Sequence, residues 1–403
     1  MFSGARYSTE QLRNVPHELL TNAIDHLLWN SIATSESTAE LRNAALLMED
    51  YLLPKYPSPF LMVRVGDVRA YLSSPTTALE LYNQALDSLK SDNIKDRVFE
   101  EFVHQFSSYT TACVEKQWAD VQTKIFIQEW RPSKTLKTPE FSPFPPITAN
   151  QIRDEWARLL GAGNGDAWKK LVTLLSVETN QIEDAFLLTN ASTYEIITHG
   201  VAQGQVLCMP DSVLKDEEII RDILKDTIRA YENLHAFQEE SGELTPDLIL
   251  DTHRILMRSS KINPEFTKYL NTGLTRTRTR KWVYITSANF NVQCCPPDEV
   301  DKELEYICRI GKQWIRNWKR NPYAVAAWLQ TALGSCHPFE DGNGRTIRLL
   351  ASIPLLQQGY PPICVPKEYE IDYYAAIRKS YNGDLAPLAD CFAKEQTLKH
   401  SYP

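Results

Sequence analysis

The residues from Cys336 to Arg348 read Cys-His-Pro-Phe-Glu-Asp-Gly-Asn-Gly-Arg-Thr-Ile-Arg, a short stretch that brings together the side chains phosphoryl chemistry needs. His337 is the group whose unperturbed pKa suits it to accept a proton near neutral pH. Asp341 is a hard oxygen ligand of the kind that holds Mg²⁺ on a polyphosphate. Arg345 and Arg348 are three apart, so on a helix they share one face, and two guanidinium forks aimed at one spot suit a polyphosphate. Gly342 and Gly344 let the backbone approach a ligand closely. The plainer alternative is a capped helix junction around a satisfied core histidine.

These groups need elements to hold them. Asn321-Pro322 predicts a helix start, an N-cap followed by proline at the first helical position, and the helix runs through Val325, Leu329 and Leu333. Pro338 and Gly342 break it, and a second helix is expected from Gly344 to Gln358, terminated by Gly359. The loop therefore delivers its backbone to a helix N-terminus, where unpaired amides and the helix dipole make an anion site. Further helices fit from Asp166 to about Leu188, Asp216–Gln238, Pro246–Met257 and Pro297–Lys319. From Thr275 to Thr286 side chains alternate with a period of two, which predicts a strand or short hairpin. An edge strand blunted by Arg276, Arg278, Arg280 and Lys281 is one reading of it.

The chain has 403 residues, enough for two or three domains. At 43% hydrophobic and 23% charged it is too apolar for general disorder. A net charge of −8 disfavours a protein that works by coating nucleic-acid phosphates. No apolar run is long enough for a membrane span, and the first thirty residues hold no signal-peptide core. The eight cysteines lack metal-ligand spacing and read as isolated thiols, so the expectation is an intracellular soluble protein, cytoplasmic or nuclear. Prolines at 132, 139, 143, 145 and 146 mark an extended connector over 131–150. Before it, segments Ala39–Leu52 and Asp96–Lys116 carry helical periodicity. Gly66, Ala78, Tyr82 and Ala85 recur at tetratricopeptide spacing, with a generic helical hairpin as the equal alternative. No P-loop is present, and Gly163-Asn164-Gly165 reads as a turn.

The run His337–Arg348 resembles the Fic domain signature H-P-F-x-[DE]-G-N-G-R-x-x-R at every specified position, and the likeness extends over about Ala167–Glu395. It implies an all-α fold: a Fic-type helical core with a short β-hairpin flap, preceded by a helical, tetratricopeptide-like domain. The expected domains are 1–130, a linker 131–150, and a Fic domain 151–403 with an inhibitory helix near 167–188. Fic proteins typically transfer AMP from ATP to a Ser, Thr or Tyr hydroxyl of a target protein, with Mg²⁺. By position, His337 would be the base and Asp341 the metal ligand. Phe339 would hold the loop, and Gly342, Asn343, Gly344, Arg345 and Arg348 would bind phosphates. The segment Arg278–Thr286 would form the flap, with Val283, Tyr284, Ile285 and Thr286 nearest the ligand, and Tyr373, Tyr374 and Tyr381 would form the adenine pocket. Tyr381 stands where the family often has asparagine.

Thr179-Asn180-Gln181-Ile182-Glu183-Asp184 resembles the family's inhibitory pattern [ST]-x-x-x-E-[GN], with Asp184 departing at the last position. Glu183 would pair with Arg348 and displace the γ-phosphate; one more solvated helix carboxylate is the alternative. The resemblance also leaves open removal of AMP from a modified protein, or a nucleotide-sensing interaction protein. Family members often dimerise, so it allows a homodimer. It calls for no nucleic acid and no membrane span.

Overall fold

Capping residues set several helix starts as the sequence predicts. Side-chain oxygens of Asp96, Asp216 and Asn321 accept from the backbone N–H three residues on, at 3.0, 3.0 and 3.1 Å. Each satisfies a donor that the first helical turn leaves unpaired. The computed structural model describes residues 8–14, 38–136, 147–161, 165–237, 242–287, 290–317 and 321–398. Most of the proline-rich connector (137–146), Gly163-Asn164 and the last residues of two expected helices (Gln238, Lys319) lie outside these. Among the described residues the fold is helical, with one three-stranded sheet.

The chain forms two compact units, one of residues 1–124, 260–271 and 278–282, the other of 125–259, 272–277 and 283–403. In the first, helices Pro59–Tyr71 and Pro75–Ser91 pair as a hairpin followed by Arg97–Gln122. Gly66 faces Tyr82, where an added Cβ would come within 2.7 Å of the ring, so only glycine allows this approach. Tyr82, Ala78 and Ala85 are buried with Phe99 and Phe106 in one apolar cluster. A tetratricopeptide repeat and a plain hairpin share this geometry. Residues 260–271 join the unit through buried polar bonds: Asn271 accepts from Thr77 at 2.8 Å, and Arg42 donates to the Ile262 carbonyl at 2.9 Å.

The second unit is built around helix Pro322–Cys336, in which every residue but Ser335 is buried. A helix apolar all round belongs at the centre of a bundle. Helices Gly165–Gln181, Glu217–Asn233, Pro246–Leu256, Val300–Asn317, Asn343–Ala351, Glu370–Tyr381 and Ala386–Leu398 belong to the same unit. Strand Tyr284–Ser287 pairs antiparallel with Phe290–Gln293, which also takes Phe126–Gln128 in parallel. Strand Tyr284–Ser287 is thus one edge of the sheet.

Four expectations need correction. The helix from Asp166 ends at Gln181, not near Leu188, because Asp184 adopts a left-handed φ of +51° and the chain turns. Residues Arg276–Thr279 form a helical turn, and strand begins only at Tyr284. Gln358 does not close one helix from Gly344: the chain bends at Ser352, where Pro354 starts a second short helix, Ile353–Gln357. Residues 147–150, assigned to the connector, begin a helix that runs to Gly161.

Candidate active site

The central helix stops at His337, which takes a left-handed φ of +48° and donates its backbone N–H to the Leu333 carbonyl at 2.8 Å. Such a φ is uncommon for a side-chain-bearing residue and marks a place where the surroundings impose the backbone. Here the imposing group is Arg276. Its guanidinium is fully buried and donates to the carbonyls of His337 at 2.6 Å, Cys336 at 3.0 Å and Cys295 at 2.6 Å. Its own N–H donates to the Pro338 carbonyl at 2.8 Å. Arg276 therefore does not blunt an edge strand; it clamps the carbonyls that end the helix. The half-buried His337 ring has its pKa pushed down to about 3, first by loss of solvent and then by the Arg276 charge. The imidazole is neutral at pH 7, and a hydrogen bond to the Gly334 backbone engages one side of it.

The loop after His337 is held by groups that sequence reasoning missed. The rings of His253 and Phe339 stack with centroids 3.7 Å apart and planes 4° from parallel. Gly273 N–H donates to His253 Nδ1 at 2.8 Å, so the neutral ring carries its proton on Nε2 and donates it to the Asp341 carbonyl at 3.0 Å. Burial pushes the His253 pKa down to about 3, in keeping with a neutral ring. Phe339 is fully buried, as expected. Asn343 closes the loop: its amide accepts from Phe339 N–H at 3.0 Å and donates to the Phe339 carbonyl at 2.9 Å. That commits the Asn343 side chain to the loop backbone, where phosphate contact had been expected. Gly342 has φ +73°, and a Cβ there would sit 2.5 Å from the Met257 sulfur, so any side chain at this position is strained and must push Met257 aside.

Both arginines of helix Asn343–Ala351 bond to the last turn of helix Gly165–Gln181, and Arg348 also to the turn that follows it. Arg348 Nη1 pairs with Glu183 at 2.7 Å, Nε donates to Thr179 Oγ1 at 3.0 Å, and Nη2 donates to the Thr179 carbonyl at 3.1 Å. Burial is the largest influence on Arg348 and opposes its charge, yet Glu183 together with Tyr373 and Tyr374 keeps its pKa raised. Arg345 donates to Asn180 Oδ1 at 3.0 Å, and its buried Nε has no hydrogen-bond partner among the described residues. Glu183 lies directly over Gly344, where an added Cβ would be 2.0 Å from its Oε1. The carboxylate thus rests at the amide end of the helix, the position an incoming anion would take. The left-handed φ of Asp184 explains why glycine or asparagine suits that position, and its carboxylate pairs with Lys367 at 2.7 Å.

A cavity of about 560 Å³ lies beside these groups. Of the expected site residues, His337, Asn343, Gly344, Arg348, Glu183, Ile285, Thr286, Tyr373, Tyr374 and Tyr381 line it. Val283 and Tyr284 do not: Val283 precedes the strand, and the Tyr284 ring packs edge-on against Phe126, 6.1 Å away. Asp341, Phe339, Gly342, Arg345 and Thr179 are not among the lining residues. Asp341 is exposed, with Oδ1 accepting from Gly342 N–H at 2.7 Å. No cluster of three metal-ligating side chains occurs among the described residues. A lone hard carboxylate fits Mg²⁺ carried on phosphates, which takes one or two protein carboxylates, and does not fit a resident metal.

Sequence signals for the missed groups were faint. His253 stands four residues after Ile249 and three before Leu256, on one apolar helix face, while Arg276 was hidden in an alternating Arg-Thr run.

Residues 243–355 match the model of the Fic/DOC family. Protein adenylyltransferase Fic from Drosophila mojavensis is 38% identical over 110 residues, 26% of this chain and 22% of that protein. The namesake from Drosophila melanogaster is 41% identical over the same length and coverage. The matched part of the chain thus spans about a fifth of these curated relatives. A structure of Fic-1 (aa134–508) from C. elegans superposes on 92% of this chain and 95% of its own at 19% identity and a TM-score of 0.45. Matching residues, the family model and the loop at the heart of the site coincide over residues 243–355: that segment of the chain matches the Fic/DOC family.

Proposed function

We propose that the protein transfers AMP from ATP to a hydroxyl of a target protein. The observation that carries this reading is the junction of a neutral, half-buried imidazole with a helix N-terminus flanked by two buried arginines. In this reading the triphosphate lies at the amide end of helix Asn343–Ala351, with Arg345 and Arg348 on its outer phosphates. Asp341 would hold Mg²⁺, which neutralises charge on the phosphates when bound. The target hydroxyl loses its proton to the His337 nitrogen not engaged with Gly334, and its oxygen forms the bond to the α-phosphorus. The bond from that phosphorus to the bridging oxygen breaks, and pyrophosphate leaves. A positioned base supplies about 10²–10⁴-fold, and fixed cations at the developing charge supply much of the remainder.

Glu183 acts as a brake in this account. Its carboxylate takes one arm of the Arg348 guanidinium and the space over Gly344, so a triphosphate must displace it to bind productively. A second reading, removal of AMP from a modified protein, is favoured by the same placement, since a carboxylate lining the cavity can orient a water. The helical first unit would choose the target.

Parallel incubations with ATP labelled at the α- or the γ-phosphate separate the alternatives. The Glu183→Gly protein is expected to acquire α-label about ten-fold or more above wild type and no γ-label. His337→Ala should remove the α-label. Transfer of γ-label, or equal labelling of wild type and Glu183→Gly, contradicts the account.

A further inference from the structure

The central helix adds a glutamine to the cavity lining well beyond the imidazole. Gln330, Gly334 and His337 are four and three residues apart, so they share the helix face that lines the cavity. At 1.5 Å per residue, Gln330 sits about 10 Å along the helix axis from His337. It is 5% exposed, and its Oε1 has no hydrogen-bond partner among the described residues. A buried amide end without a partner bears its full desolvation cost, and native structures hold few such groups. That oxygen has almost no accessible surface, so it meets a ligand once the side chain turns about its own bonds into the cavity that the residue lines.

The surroundings say what kind. Val292 and Ile285 of the hairpin and Ile377 supply apolar wall. Tyr381 places its hydroxyl over Gly334, where an added Cβ would come within 2.6 Å of it. Apolar walls carrying the Gln330 amide and tyrosine phenols suit a flat heteroaromatic ring, while the Arg348 guanidinium suits phosphates.

We propose that Gln330 reads the base of the nucleotide: its side chain turns into the cavity on binding, Oε1 accepting from the exocyclic amine of a 6-aminopurine while Nε2 donates to the adjacent ring nitrogen. Glutamine meets adenine through such paired bonds because the base edge sets a donor beside an acceptor. Guanine presents an acceptor at O6 and a donor at N1, so it meets this amide only if the amide turns over. A carboxylate in its place, having no donor, matches the two donors of guanine at N1 and N2. The inference rests on the proposed function for the presence of a nucleotide and adds which residue selects its base.

The test is calorimetric binding of Mg²⁺-ATP and Mg²⁺-GTP to the full chain in a Glu183→Gly background, which leaves Arg348 open to either. Gln330→Met is expected to weaken ATP about ten-fold and bring the ATP-to-GTP ratio towards one. Gln330→Glu is expected to invert the ratio in favour of GTP, and it carries the test should the methionine variant melt early. An unchanged ratio in a folded variant overturns the inference, and continued AMP transfer in that case leaves the proposed function standing. Gln330-dependent binding without any transfer of AMP does the reverse. Binding of neither nucleotide overturns both.

Discussion

Arg276 is the residue that fixes the backbone of the candidate base. Four hydrogen bonds from one buried residue hold the carbonyls of Cys295, Cys336, His337 and Pro338. Arg276→Lys keeps the charge and loses the fork. The expected result is a fall in kcat of about 10²-fold, the scale of a small misplacement of a catalytic group, with the KM for ATP nearly unchanged. Steady-state kinetics in the Glu183→Gly background checks this; a rise in KM alone would mean Arg276 serves binding. His337 itself has a pKa pushed down to about 3, so its basic form persists on acidification. The acid limb of kcat/KM in the same background is therefore expected well below pH 6.5. At this scale the contiguous loop was legible, because the residues that act together are adjacent in sequence. Arg276 and His253 were not, since each reaches the loop from more than sixty positions away.

At the scale of elements, the junction of helices Pro322–Cys336 and Asn343–Ala351 is over-determined. A left-handed His337, a left-handed Gly342 and the Asn343 bridge to Phe339 together fix the path of the loop. Gly342→Ala adds a left-handed cost of about 1–2 kcal/mol and a clash with Met257. The variant is expected to melt several degrees lower and to lose transfer, and thermal unfolding by circular dichroism reads the first effect. An unchanged melting temperature would mean the loop is not held as described. Helix starts were legible wherever an Asp or Asn cap preceded the helix, because capping is local chemistry. The strand was misplaced at its start, because alternation of Arg and Thr satisfies a period of two while Arg276 is drawn inward by carbonyls distant in sequence. The early stop at Gln181 depended on one backbone angle at Asp184.

The molecule as a whole adds what no single element holds. The first unit takes residues 260–271 from the middle of the chain, an arrangement that local periodicity cannot announce because it rests on bonds such as Thr77 to Asn271. Stability of the second unit should depend on acid. The folded pKa of His253 is depressed to about 3, so below its unfolded value of 6.5 the unfolded chain binds a proton that the folded one refuses. Stability contributed by the neutral ring is present above about pH 6.5 and is lost as pH falls towards 3. Melting curves between pH 7 and 4 should fall with pH, and His253→Asn should flatten the slope by up to about one proton; an equal slope would remove this role. The most direct test of the central claim is intact-mass analysis of the Glu183→Gly protein after incubation with Mg²⁺ and each nucleoside triphosphate. The account predicts a gain of one or more adenylate masses with ATP, and none when His337→Ala is added. No adduct with any triphosphate, or an adduct that persists without His337, would contradict it.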